Sequence, residues 1–152
     1  DFYRSISSYV DAGTAALIHT IGHVSQAHPT STWIDKYIFP GGYIPSLSEV
    51  ATSVESTGLW AADVEILRGH YGPTLRHWRT RFENALPRVR EMYDERFVRM
   101  WRFYLSVCEA AFEETFQGVF HLQLSHRQRD VPVTRDYLHG PGSSGDMMHA
   151  AQ

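Results

Sequence analysis

A strand that needs covering on both faces sets the terms for this fold. Residues 14–22 read Thr-Ala-Ala-Leu-Ile-His-Thr-Ile-Gly: apolar almost throughout, β-branched towards the end and closed by glycine. A strand with one wet face alternates apolar and polar residues. A run like this one suits a strand in a parallel sheet with helices above and below. It does not suit a sheet edge, where unpaired amides and bare apolar side chains invite other chains.

The remaining sequence supplies partners. Residues 2–12 read as a short amphipathic helix carrying Phe2, Ile6, Tyr9 and Val10, with Gly13 as its stop. Trp33 to Phe39 reads as a helical turn before the break Pro40-Gly41-Gly42. Ser46 followed by Glu49 is a capping box, opening a helix that carries Leu47, Val50, Ala51 and Val54 and ends by Gly58. Leu59 to Leu67 alternates in part and predicts a second strand. Pro73 opens a helix with the stripe Leu75, Trp78, Phe82, Ala85 and Leu86, interrupted at Pro87. From the N-cap Asp94 a long helix runs to about Phe116, its predicted buried face being Phe97, Met100, Trp101, Tyr104, Cys108, Ala111 and Phe112. Val119 to Ser125 alternates cleanly as a third strand. Residues 139–152, rich in Gly and Ser, read as a flexible tail after a domain over residues 1–138. The order is that of an α/β fold with about three strands and flanking helices. Three strands are few for the run at 14–22, so the chain reads as the second half of a larger α/β domain.

Composition narrows the function classes. With 152 residues the chain is one domain's worth. Its 43% hydrophobic and 20% charged residues rule out a disordered chain. The net charge of -3 lacks the positive field of a nucleic-acid binder. Lys36 is the one lysine, and the other basic residues are arginines, which suit bidentate anion contacts. A single cysteine, Cys108, excludes an internal disulfide and fits a reducing compartment. No apolar run approaches the ~20 residues that span a bilayer. The first residue is Asp1, which reads as a processed or partial product. His19, His23 and His28 lie too irregularly, without Cys or carboxylate company, to suggest a metal site.

Four motifs in order carry a resemblance. They are Leu17-Ile18-His19-Thr20-Ile21-Gly22; Trp33-Ile34-Asp35-Lys36-Tyr37-Ile38-Phe39-Pro40-Gly41-Gly42-Tyr43-Ile44-Pro45-Ser46; His70-Tyr71-Gly72-Pro73-Thr74-Leu75-Arg76-His77-Trp78; and Glu95 to Trp101 continuing through Tyr104-Leu105 to Cys108-Glu109-Ala110-Ala111-Phe112. Arg129 to Tyr137 adds a closing segment. Over about residues 1–138 the sequence resembles the cyclopropane-fatty-acyl-phospholipid synthase family, which includes the mycolic acid cyclopropane synthases. The resemblance implies the C-terminal portion of a Rossmann-like class I methyltransferase fold. The family's glycine-rich cofactor loop has no counterpart here, so no cofactor-binding residue is expected in this chain.

The resemblance also implies the chemistry. The family transfers the methyl group of S-adenosylmethionine to an acyl-chain alkene, and a base, bicarbonate, takes a proton so that the ring closes. His19 and Tyr71 match the catalytic, bicarbonate-contacting positions, and Ile21 matches the residue whose backbone touches the same ion. Phe39, Ile44, Leu75, Tyr104 and Cys108 match the acyl pocket. From the residues alone, His19 reads as a buried strand histidine, Tyr71 as a packed helix-entry aromatic, and the five pocket residues as core. The resemblance implies an unsaturated phospholipid substrate and a cytoplasmic enzyme peripheral to the inner membrane face. Its open sheet edge allows a homodimer, and Arg76, Arg79 and Arg81 are candidates for headgroup contact. A fatty-acid methyltransferase leaving a methyl branch shares this half. A non-catalytic lipid-binding or interaction module is the reading from another class.

Overall fold

A computed structural model describes residues 1–138. The elements are α1 (Phe2–Tyr9), β1 (Ala15–His23), α2 (Thr32–Tyr37), α3 (Leu47–Glu55), β2 (Trp60–Leu67), α4 (Tyr71–Asn84), α5 (Leu86–Met92), α6 (Glu95–Glu114) and β3 (Gln117–Ser125). Two short 3-10 turns, Gln128–Asp130 and Asp136–Leu138, follow. The expected flexible tail at 139–152 lies outside the described residues.

The three strands form one sheet in the order β1-β3-β2. β3 runs antiparallel to both neighbours, so β1 and β2 point the same way with β3 inserted between them. The parallel pairing expected for β1 is therefore absent among the described strands. The strand covered on both faces is β3: Val119, Phe120, Leu122, Leu124 and Ser125 are all buried. β1 lies at the edge, and Leu17 is 61% exposed. His19 accordingly sits on an edge strand, not a central one, and is exposed.

Helices cover both faces, as expected for an α/β layer structure. On one face Ala16 and Ile18 of β1 join Phe120, Leu122 and Leu124, packing against Val50 and Val54 of α3 and Tyr3 and Ile6 of α1. On the other, Ile21, Leu67 and Val119 meet Leu75 of α4 and Leu105 and Phe112 of α6. The capping box of α3 forms as read: the Glu49 amide donates to the Ser46 hydroxyl and the Ser46 amide donates to the Glu49 carboxylate.

The long helix is where the sequence stripe and the structure part. Its buried residues are Val98, Leu105, Glu109 and Phe112. Trp101, Tyr104 and Cys108 are only partly buried against the same core. The face in contact with α4 is thus rotated from the purely apolar stripe, because a carboxylate takes part in it. Glu109, 8% exposed, accepts hydrogen bonds from Arg76 and Arg79 of α4 at 2.9 and 3.0 Å. Arg76 also pairs with Glu113. These two arginines clamp α4 to α6, so their guanidinium groups already have carboxylate partners.

Candidate functional site

One cavity of about 400 Å³ lies between the end of β1 and helices α2, α4 and α6. Ile21 reaches it from β1, Phe39 and Ile44 from the loop between α2 and α3, Tyr71 and Leu75 from the first turns of α4, and Tyr104 and Cys108 from the middle of α6. Seven of the eight residues singled out in the sequence therefore line one space. Its size falls within the usual range for small-molecule sites. The rings are layered. Tyr71 lies 4.6 Å from Phe112, and Phe39 meets Tyr104 edge-on at 6.1 Å.

Burial fixes the protonation of the polar groups in this apolar setting. It pushes the Tyr71 phenol above its ordinary value, with Cys108 adding to the effect. Tyr104 is pushed up to about 12 by burial and by Cys108 and Tyr71 beside it. Burial likewise pushes the Cys108 thiol up. At neutral pH both phenols are hydrogen-bond donors, and Cys108 is a neutral thiol, not a nucleophile.

His19 does not line the cavity. It stands on the same face of β1 as Ile21, one strand repeat away, roughly 7 Å by the strand rise. Its Nδ1 lies 2.7 Å from Nε2 of His121, its cross-strand partner on β3. The Ile21 amide also has an address. The His23 amide points away from β3 and donates to the Pro45 carbonyl at 2.9 Å. Two residues earlier the strand repeats its orientation, so the Ile21 amide faces the same outer edge. The Ile21 amide and the His19 imidazole thus lie along β1, the Tyr71 phenol belongs to a residue of the cavity wall, and His19 stands outside the cavity.

The family profile described as mycolic acid cyclopropane synthetase matches residues 1–122. The chain belongs to this family. A probable fatty acid methyltransferase of Pseudomonas putida is 36% identical over 111 residues, 70% of this chain and 28% of that protein. The cyclopropane-fatty-acyl-phospholipid synthase of Escherichia coli is 40% identical over 96 residues, 63% of this chain and 25% of that protein. The chain spans about a quarter of the length of these curated relatives. Among solved structures, the cyclopropane synthase MmaA2 from Mycobacterium tuberculosis superposes with a TM-score of 0.73 at 22% identity, over 82% of this chain and 48% of that one. The mycolic acid cyclopropane synthase CmaA1, complexed with SAH and CTAB, gives 0.70 at 23%, over 80% and 49%. These likenesses show the fold: part of a class I methyltransferase domain, α/β as expected.

In this mycolic acid cyclopropane synthetase family chain, two residues near the site escaped the sequence reading, and a third, His23, was weighed there only as a metal ligand. His121 and Glu65 stand beside His19 in one cross-strand row. Only the register reveals them, because 102 residues separate His19 from His121 in sequence. His23, 4% exposed, meets His28 at a tilt with ring centres 4.3 Å apart on the cavity wall. Burial and the neighbouring His28 push the His23 imidazole below its ordinary value, so it is neutral there. The five-residue spacing of these histidines was visible. Their convergence needed the loop between β1 and α2.

Proposed function

We propose that this chain forms the acyl pocket and part of the oxyanion site of an S-adenosylmethionine-dependent enzyme that builds a cyclopropane ring on an unsaturated phospholipid acyl chain. The convergence of Ile21, Phe39, Ile44, Tyr71, Leu75, Tyr104 and Cys108 on one cavity carries this reading. The apolar walls suit a hydrocarbon chain and keep water from a cationic reaction centre. S-adenosylmethionine supplies the electrophilic methyl group when bound, and its site is assigned to the rest of the protein.

The polar groups in and beside the cavity fit a small oxyanion. The Tyr71 phenol stays protonated, the Ile21 amide faces the open edge, and the His19 imidazole lies on the same strand face. Together they hold bicarbonate where a proton has to leave the new methyl group. Tyr104 and Phe39 present aromatic faces to the developing positive charge.

Access from a membrane surface fits the neighbouring groove, where Trp33, Tyr37 and Phe103 stand beside Arg96 and Arg99. Aromatic rings with basic residues are what a peripheral protein presents to anionic lipid on the cytoplasmic leaflet. Among the described residues no helix is long and apolar enough to cross a membrane.

A second reading has its own support. The Pseudomonas putida relative is named a probable fatty acid methyltransferase, and a 42% identical Mycobacterium tuberculosis relative a tuberculostearic acid methyltransferase. Mass spectrometry separates the two. The intact protein, incubated with S-adenosylmethionine and unsaturated phospholipid vesicles, yields acyl chains heavier by one methylene in either case; ozonolysis before the measurement leaves a ring product whole and cleaves a branched chain at the double bond it keeps. Tyr71→Phe lowers the rate by about 10²-fold if the phenol is an oxyanion donor. Unmodified acyl chains with lipid binding intact would leave only the binding-module reading.

A further inference from the structure

We infer that Glu65, His121 and His19 form an ordered row, one hydrogen bond and one longer electrostatic contact, that fixes the tautomer of His19 and makes its Nε2 a proton acceptor. The inference rests on the reading of His19 as an oxyanion contact and adds what sets its polarity. The register places the three residues side by side on one face of the sheet: His19 opposite His121, and His121 opposite Glu65. Nδ1 of His19 lies 2.7 Å from Nε2 of His121, and Nδ1 of His121 lies 3.8 Å from a Glu65 oxygen.

The row has a direction because its far end is pinned. Arg135, from the segment after β3, grips both oxygens of Asp63, at 2.8 Å through Nε and 2.6 Å through Nη2. Its Nη1 donates to Oε1 of Glu65 at 3.5 Å, and its Nη2 donates to the Val64 carbonyl at 3.2 Å. Oε1 of Glu65 is thereby engaged, and Oε2 is the oxygen turned to His121. At 3.8 Å the carboxylate is beyond hydrogen-bond reach, and its charge favours the His121 tautomer that turns an N–H, on Nδ1, towards it. Nε2 of His121 then carries a lone pair and accepts from Nδ1–H of His19. Nε2 of His19 is left as the bare acceptor, the nitrogen free to take a hydrogen bond or a proton from an oxyanion's O–H group. This is how a remote carboxylate orients an imidazole through its second nitrogen, here with one imidazole interposed. Glu65 and His121 are positioning residues and touch no reactant.

The test reads the tautomers directly. Imidazole nitrogen shifts are measured on the intact protein labelled in histidine, with His19→Asn and His121→Asn spectra to assign the signals. The expected result is Nδ1–H for both rings. Glu65→Gln offers an amide N–H to Nδ1 of His121 and should reverse the row, giving Nε2–H on both. In the lipid assay His121→Gln, whose amide oxygen still accepts from Nδ1–H of His19, keeps most of the rate. His121→Phe loses roughly tenfold or more in kcat with little change in KM, the range seen when an outer orienting partner is removed. An Nε2–H tautomer on His19 in the unmodified protein, or tautomers unmoved by Glu65→Gln, would overturn the row. If the tautomers behave as stated but His19→Ala retains full activity, the row stands and the oxyanion role of His19 fails.

Discussion

At Gly22 the main chain of β1 passes directly beneath the fully buried Phe120 ring of β3, and a Cβ added there would overlap the ring. The glycine closing the Leu17–Gly22 motif is therefore a packing requirement. Gly22→Ala has to displace Phe120 or bend the strand, at a cost of about 1–3 kcal/mol, the usual penalty of overpacking. Thermal denaturation of the intact protein checks it, and an unchanged midpoint would contradict the contact. His23 makes a pH-dependent contribution. Its folded pKa is lowered by burial and by His28, from an ordinary 6.5. Above the unfolded value both states are neutral at this site and its contribution is complete. As pH falls below about 6.5 the unfolded chain takes up a proton that the folded chain refuses, so stability declines until pH passes the folded pKa. Urea unfolding across that range should show a shallower acid decline in His23→Gln than in the unmodified protein.

Among the elements, α6 joins the core to the cavity. Leu105 is 1% exposed between α4 and the sheet, while Tyr104, next in sequence, lines the cavity. Leu105→Ala should cost about 2–5 kcal/mol in urea unfolding, as for other buried leucines. A loss below about 1 kcal/mol would mean that the α4–α6 seam does not depend on this packing. The helices were legible because their signals are local: the box at Ser46 and Glu49, the cap at Asp94, the apolar spacing from Tyr104 through Cys108 to Phe112. Sheet order was not, because it depends on contacts across the chain. The apolar run in β1 suggested a central strand, yet β3 occupies the centre. Alternation in Val119–Ser125 concealed that its polar positions lie between two other strands, His121 between His19 and Glu65 and Gln123 between Leu17 and Asp63. Glu109 was missed as a core residue because its burial depends on two arginines some 30 positions away.

For the whole molecule, the pocket residues could be named from motifs, but their common cavity and the isolation of His19 from it needed coordinates. Three layers put α1 and α3 on one face of the sheet and α4 and α6 on the other, and the cavity opens only on the second. That asymmetry places the phenols, the thiol and the His19 row on one side. The central claim, that this cavity holds the acyl chain undergoing methyl transfer, is tested most directly by filling it. The intact protein and its Cys108→Trp variant are incubated with S-adenosylmethionine and unsaturated phospholipid vesicles, with acyl products read by mass spectrometry and cofactor binding by calorimetry. The account predicts acyl chains carrying one added carbon from the unmodified protein, and at least a tenfold loss of product from Cys108→Trp with cofactor affinity preserved. Equal product from both proteins would contradict it.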